Sequence, residues 1–341
     1  YGLATDPNGF AYLTGITLSP NFPTTASAVQ TTPGGAEDAF AARVSPAGNQ
    51  LLYATYLGGT GYESGHAIRV IGSEAVVAGE TSSTNFPTRS PFQGTLSGQT
   101  DGFLTRLNST GSALVLSTYF GGTNIDVAWD VRLDSLGRVY FLGGYTTSTN
   151  LPVTANPPLQ TLNAGGGGDA FVSALAASAD GGAPTLALST YLGGSGEDYA
   201  TGLVQDGTQG VWVAGRTSST DFPIRNGLQT TNDGGTTEGF LARIATVELD
   251  GGADAGQPDG GADAGVPDAG VPDAGASDAG LPDGGGLDGG ADGGPAFEPP
   301  GDAGELAPQN LQVACGCSST TSFIAILGVL VCIAFTRRHR T

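Results

Sequence analysis

The chain has 341 residues, 58 of them glycine and 20 proline, with no methionine and no lysine. Such a mixture of apolar residues and glycine reads as strands and turns, and excludes long helices from its first two thirds. The formal charge of −20 is uneven, because residues 250–305 carry 13 carboxylates and no base while residues 1–249 carry 19 carboxylates against 9 arginines. No basic cluster precedes the extreme C-terminus, so the footprint of a nucleic-acid binder is absent.

Tyr1 falls inside a strand-like run, so the chain is expected to continue upstream, where any secretion signal would lie. Three markers then recur in the same order. The first is Asn21-Phe22-Pro23-Thr24, matched by segments beginning at Asn85, Asn150 and Asp221, at spacings of 64, 65 and 71 residues. The second is an acid, a small residue and phenylalanine: Asp38-Ala39-Phe40, with counterparts beginning at Asp101, Asp169 and Glu238. The third, Thr55-Tyr56-Leu57-Gly58-Gly59, returns at Thr118 and Thr190 and is missing from the last unit.

Between the markers hydrophobicity alternates with period two in short runs, as half-buried strands require. In the best-preserved unit strands are expected at Ala39–Val44, Leu51–Leu57, His66–Ile71 and Ala75–Glu80, separated by turns at Ser45–Asn49, Gly58–Gly61 and Gly72-Ser73. The proline of the Phe-Pro segment cannot donate to a ladder and marks a further break. The arithmetic gives an all-β fold: about four four-stranded blades of a β-propeller-type array, with the last strand of the fourth unit absent. A β-sandwich array is the alternative for the same strand count.

Residues 1–246 carry this repeat, with units marked by Phe22, Phe86, Leu151 and Phe222. The Phe-Pro segment, Gln30 and the run from Asp38 to Gly59 together resemble the SBBP repeat, a bacterial β-propeller repeat. The resemblance implies a propeller; the family name refers to seven blades, so the missing ones are expected upstream.

Residues 247–314 are a low-complexity Asp/Ala/Gly/Pro sequence, expected to be disordered and to act as a stalk, because it has almost no large apolar residues to offset ordering entropy. A random-coil estimate for about 55 such residues is roughly 40 Å end to end, extended further by charge repulsion. Residues 315–341 begin with Cys315 and Cys317, and residues 318–336 contain no charge. As a helix that stretch rises about 28 Å, enough to span a bilayer. Arg337, Arg338 and Arg340 then form a stop on the cytoplasmic side. Cysteine, hydrophobic segment and arginine cluster resemble the MYXO-CTERM sorting signal of myxobacteria. The resemblance implies export, recognition by a membrane sorting protease, removal of the tail, and retention at the cell surface through Cys315 or Cys317. A permanent single-pass anchor is the alternative fate of the same helix.

Chemistry is sparse. The three cysteines all lie at 315 or beyond, so the repeat region has no thiol nucleophile, and of the two histidines only His66 falls within it. Its counterparts are Trp129 and Thr201, which favours a structural or surface histidine over a catalytic base. The carboxylates Glu63, Asp126 and Asp198 recur four residues after the diglycine, and Asp38, Asp101, Asp169 and Glu238 form a second recurrent set. Recurrence in every unit favours turn-fixing over catalysis or calcium binding. The matched tyrosines Tyr56, Tyr119 and Tyr191 are read as core packing, and Asn108-Ser109-Thr110 as an exposed turn. The expected protein is therefore not an enzyme and needs no cofactor or metal: a surface-anchored β-propeller repeat protein whose binding or structural role engages an extracellular protein or polysaccharide. The competing class is a fragment of an extracellular hydrolase whose catalytic part lies upstream.

Overall fold

The alternating apolar runs form 15 strands joined by glycine-rich turns in a computed structural model that describes residues 1–154, 160–206, 210–232 and 235–245. Among the described residues no helix occurs, and all of them belong to one compact unit. The strands form four antiparallel sheets in chain order. The first contains β1 (Gly2–Thr5), β2 (Ala11–Thr17), β3 (Asp38–Val44) and β4 (Leu51–Leu57). The second contains β5 (Glu63–Ile71), β6 (Glu74–Thr81), β7 (Asp101–Leu107) and β8 (Leu114–Phe120). The third contains β9 (Asp126–Leu133), β10 (Val139–Thr146), β11 (Asp169–Ala176) and β12 (Thr185–Leu192). The fourth has three described strands, β13 (Asp198–Asp206), β14 (Gly210–Thr217) and β15 (Glu238–Ala245).

Each sheet is a simple meander, and successive sheets pack face to face with β1 against β5, β5 against β9, and β9 against β13. This is the arrangement of propeller-like blades, whose first strands lie side by side. Three apolar layers fill the spaces between them. Tyr12, Ala41, Ile68, Val77 and Phe103 pack between the first and second sheets. Val76, Leu104, Phe120, Val131, Leu142 and Phe171 pack between the second and third. Phe141, Val172, Leu188, Leu203 and Val213 pack between the third and fourth.

The sheets correct the expected grouping of strands. The four strands read from Ala39 to Glu80 do not share a sheet, because β4 pairs only with β3 and β5 pairs only with β6. The Phe-Pro segment lies in the long connection between the second and third strands of one sheet, and the diglycine carries the chain from one sheet to the next. The expected turns hold: in the Ser45–Asn49 turn the Gly48 N–H donates to Ser45 O at 2.8 Å with Gly48 at φ 72°, where a side chain would be strained.

The matched tyrosines fasten each Phe-Pro loop to the fourth strand of its sheet. Tyr56 Oη accepts from Phe22 N–H at 3.0 Å and donates to Ser19 O at 2.7 Å. Tyr119 does the same with Phe86 N–H at 3.0 Å and Ser83 O at 2.7 Å, and Tyr191 with Leu151 N–H at 2.8 Å and Ser148 O at 2.9 Å. All three rings are 1% exposed, so the core-packing reading of these residues holds, with a hydroxyl task added. Replacing Tyr119 with Phe strands a buried donor and a buried acceptor, and is expected to lower unfolding free energy by roughly 2 kcal/mol in a denaturant titration.

Candidate functional site

The recurrent carboxylates meet in pairs. At each passage between sheets a side chain on the first glycine of the diglycine would strike both members: at Gly121, Asp101 Oδ1 at 2.7 Å and Asp126 Oδ2 at 2.8 Å; at Gly193, Asp169 Oδ1 and Asp198 Oδ2 at 2.7 Å. At Gly58 it would overlap Asp38 Oδ1 and come within 2.7 Å of Glu63 Oε2. All six acids are at most 1% exposed.

Donors surround them. Glu63 accepts from Gly59 N–H at 2.7 Å, Thr81 Oγ1 at 2.7 Å and Ser83 Oγ. Asp126 accepts from Gly122 N–H at 2.7 Å and Ser148 Oγ at 2.8 Å, and Asp198 from Gly194 N–H at 2.9 Å and Ser219 Oγ at 2.7 Å. On the other side, Asp101 accepts from Ser97 N–H at 2.8 Å and Gln93 Nε2 at 2.6 Å, and Asp169 from Ala164 N–H at 2.8 Å and Gln160 Nε2 at 2.9 Å. The same glutamines, with Gln30, offer Oε1 at 3.0 Å to the N–H of Gly121, Gly193 and Gly58. A nest of N–H and O–H donors around a carboxyl group fixes a turn. Among the described residues no group of three or more His, Cys, Asp or Glu gathers to hold a metal ion.

His66 sits elsewhere than expected. It is the fourth residue of β5 and not its start, because Glu63-Ser64-Gly65 already pairs with Thr81-Glu80-Gly79. The register shifts between Gly65 and Ala67, leaving His66 as the extra residue of a β-bulge; Trp129 and Thr201 are the extra residues of the same bulge in β9 and β13. A bulge re-aims its side chain, so this position is free to vary. His66 Nε2 lies 3.1 Å from Glu80 Oε1, and its ring is 6.0 Å from that of Tyr1.

Where the third and fourth sheets meet, the repeat is broken by a cluster the sequence reading did not single out. Trp129 and Tyr145 of the third sheet stack on Tyr199 of the fourth: ring centres lie 5.3 Å apart for Trp129–Tyr199 and 4.5 Å for Tyr145–Tyr199, with planes within 11° of parallel. The guanidinium of Arg216, the cross-strand partner of Tyr199, stands 4.3 Å from the Tyr199 ring centre. Tyr199 Oη donates to Glu197 Oε2 at 3.0 Å, and Tyr145 Oη to Gly167 O at 3.0 Å. Burial, followed by the neighbouring Tyr199 and Glu197, pushes the Tyr145 phenol up to about 12, and burial likewise raises Tyr199, so both remain protonated donors. Beside the stack is a shallow hollow lined by Glu197, Tyr199, Arg216, Ser218 and Thr237. The three rings are half-buried, while Arg216 and Glu197 are exposed. The signal for this cluster was available only in register: the equivalents of Trp129, Tyr145 and Tyr199 in the second sheet are His66, Glu80 and Ser64.

The acid pairs make stability depend on pH. Burial first, and then the facing Asp126 or Asp198 charge, pushes Asp101 and Asp169 up to about 6; burial also raises Asp38, Glu63 and Asp126. A carboxyl raised above its unfolded value stabilises the fold while protonated, and that contribution is lost as pH rises through the folded value. The thermal midpoint is therefore expected to fall between about pH 4.5 and about pH 7.5, and the Asp101→Asn/Asp169→Asn variant to flatten the profile; a midpoint that climbs over this window contradicts it.

Cys315, Cys317, Arg337, Arg338 and Arg340, the acidic stretch and the expected transmembrane helix lie outside the described residues. Comparison with protein-family models and with curated proteins finds no match to the chain.

Proposed function

We propose that this chain is a non-enzymatic, surface-displayed β-propeller repeat protein of the SBBP type, with a binding or structural role toward an extracellular protein or polysaccharide. The observation that carries the reading is the contrast between two kinds of polar group. The recurrent acids, which a hydrolase would need exposed and converging on one place, are buried and bonded to their own turns. The exposed polar groups beside aromatic rings occur where one pair of sheets departs from the repeat. Fixed scaffold and locally varied surface are the usual division of labour in repeat proteins that bind.

In this reading residues 247–314 are the acidic stalk and residues 315–341 the MYXO-CTERM-type signal, read by a sorting protease at the membrane, with Cys315 and Cys317 as the retained positions and Arg337, Arg338 and Arg340 as the stop. The protein then works at the outer surface of a Gram-negative, myxobacterial envelope. The reading assigns no cofactor and no nucleic-acid partner.

Fractionation of cells producing the full chain tests the sorting half. The Cys315→Ala/Cys317→Ala variant is expected to lose surface retention, and neutralising the three arginines to impair processing. Unchanged processing and retention in the double cysteine variant would refute the sorting signal.

A further inference from the structure

We propose that the outer edge of β15, together with the Phe-Pro loop of the fourth unit, is a docking site for an extended segment of another polypeptide that carries the pattern Ser/Ala-Thr-Tyr-Leu/Phe-Gly; the proposal rests on the reading of the chain as a surface binding protein.

The second sheet shows what such a site holds. There β8 is gripped on two sides. On one it pairs with β7 in the register Phe103↔Tyr119, Leu104↔Thr118 and Thr105↔Ser117. On the other it meets the loop from Asn85 to Gln93, where Arg89 and Ser117 exchange both backbone hydrogen bonds at 2.9 Å. Gln93 N–H donates to Thr118 Oγ1 at 2.9 Å, its carbonyl accepts from Tyr119 N–H at 3.2 Å, and its Oε1 accepts from Gly121 N–H at 3.0 Å. Phe86 N–H completes the grip on the Tyr119 hydroxyl.

The fourth unit has the same loop in the same shape. Asp221–Gln229 aligns without a gap on Asn85–Gln93, so that Arg225 falls on Arg89 and Gln229 on Gln93. Ser90 and Asn226 occupy one position of this alignment, and they are the two non-glycine residues with positive φ among the described residues, at 44° and 52°. Phe222 lies 4.6 Å from Phe240 with planes 31° apart, as Phe86 lies 4.7 Å from Phe103 with planes 32° apart. Gln229 Nε2 donates to Thr231 O at 2.9 Å, as Gln93 Nε2 does to Thr95 O at 3.0 Å.

Only the gripped strand differs. Among the described residues no strand lies on the outer edge of β15. The backbone groups of Arg225, the N–H, carbonyl and Oε1 of Gln229, and the N–H of Phe222 have no hydrogen-bond partner among the described residues. Ser219 O, the counterpart of Ser83 O, meets Asn232 Nδ2 at 3.5 Å. Leu228 is wholly exposed where Phe92 packs against the core, and Phe240 is half-buried where Phe103 is 0% exposed. An open edge with a row of free donors and acceptors templates a further strand, and adding one is a general way of holding an extended peptide. Backbone bonds give the affinity. Specificity comes from a threonine hydroxyl on Gln229 N–H and from a tyrosine set edge-on to Phe222, as Tyr119 is to Phe86 at 5.9 Å and 63°. The chain itself has three segments of this pattern, in β4, β8 and β12, and all three are engaged in their own sheets, so the occupant is a different polypeptide.

The test titrates the full chain, in mild detergent, into a fluorescently labelled peptide of the Leu114–Gly122 sequence. A saturable rise in anisotropy is expected, with hydrogen-exchange protection of the β15, Arg225 and Gln229 amides. Tyr119→Phe in the peptide, and separately Gln229→Ala in the protein, are each expected to weaken binding at least about tenfold, the exposed Gln229→Ala leaving the thermal midpoint unchanged. A scrambled peptide that binds equally well, or protection that spares β15, overturns the site. Concentration-dependent self-association that protects β15 and excludes the peptide makes a second copy the occupant and overturns the assignment to a different polypeptide. Binding of a surface protein or polysaccharide with no response to the peptide overturns the site and leaves the binding reading standing. Failure to bind any of the three removes that reading as well.

Discussion

Where each sheet hands the chain to the next, the first glycine of the Tyr-Leu/Phe-Gly-Gly segment passes between two buried carboxylates, and there is no room for a side chain between them. One acid belongs to the third strand of the sheet being left and the other to the first strand of the sheet being entered. At every passage the second glycine donates directly to the acid ahead and the first donates to a glutamine; at the second and third passages that glutamine's amide binds the acid behind, while at the first Gln30 Nε2 donates to Thr32 O and Asp38 accepts from Gly34 N–H. Sheet, turn and next sheet are thereby fixed relative to one another by hydrogen bonds that recur with the repeat.

Burying two acids so close together is costly unless donors surround them and the charge is reduced. Both conditions are met, since backbone N–H, serine, threonine and glutamine donors converge and burial pushes Asp38, Glu63, Asp101, Asp126 and Asp169 toward their neutral forms. Asp130 illustrates the other solution. It lies in β9 between the second and fourth sheets and burial raises it too, but it accepts from the guanidiniums of Arg69 and Arg132 at 2.7 Å and from Leu203 N–H at 2.8 Å, and so ties β5, β9 and β13 together with cationic partners that the acid pairs lack. Its counterparts in β5 and β13 are Ala67 and Gly202, so this tie is made once and does not recur.

Repetition is what made the scaffold legible in sequence. Three markers in register gave β3, β4 and β6 to within a residue at each end, while the strand read from His66 begins three residues earlier, at Glu63. Markers fix order and not phase, however. Nothing in Ala39 to Glu80 says whether the chain stays in one sheet or changes at the diglycine; that is decided by which strands bond, and β4 and β5 do not. The bulge at His66, Trp129 and Thr201 was invisible for the same reason, since it exists only as a mismatch between paired strands. The stack of Trp129, Tyr145 and Tyr199 escaped notice because its members lie 16 and 54 residues apart and none belongs to a marker.

The scaffold account turns on the passage of glycine between acids, and one comparison of two alanine variants tests it. Gly202 has open space where a Cβ would stand, while at Gly121 a Cβ would lie 2.7–2.8 Å from Asp101 and Asp126 oxygens. Chemical denaturation of the full chain is expected to show Gly202→Ala within about 0.5 kcal/mol of the parent and Gly121→Ala destabilised by about 3 kcal/mol or unfolded. Equal stability of the two variants would contradict the account.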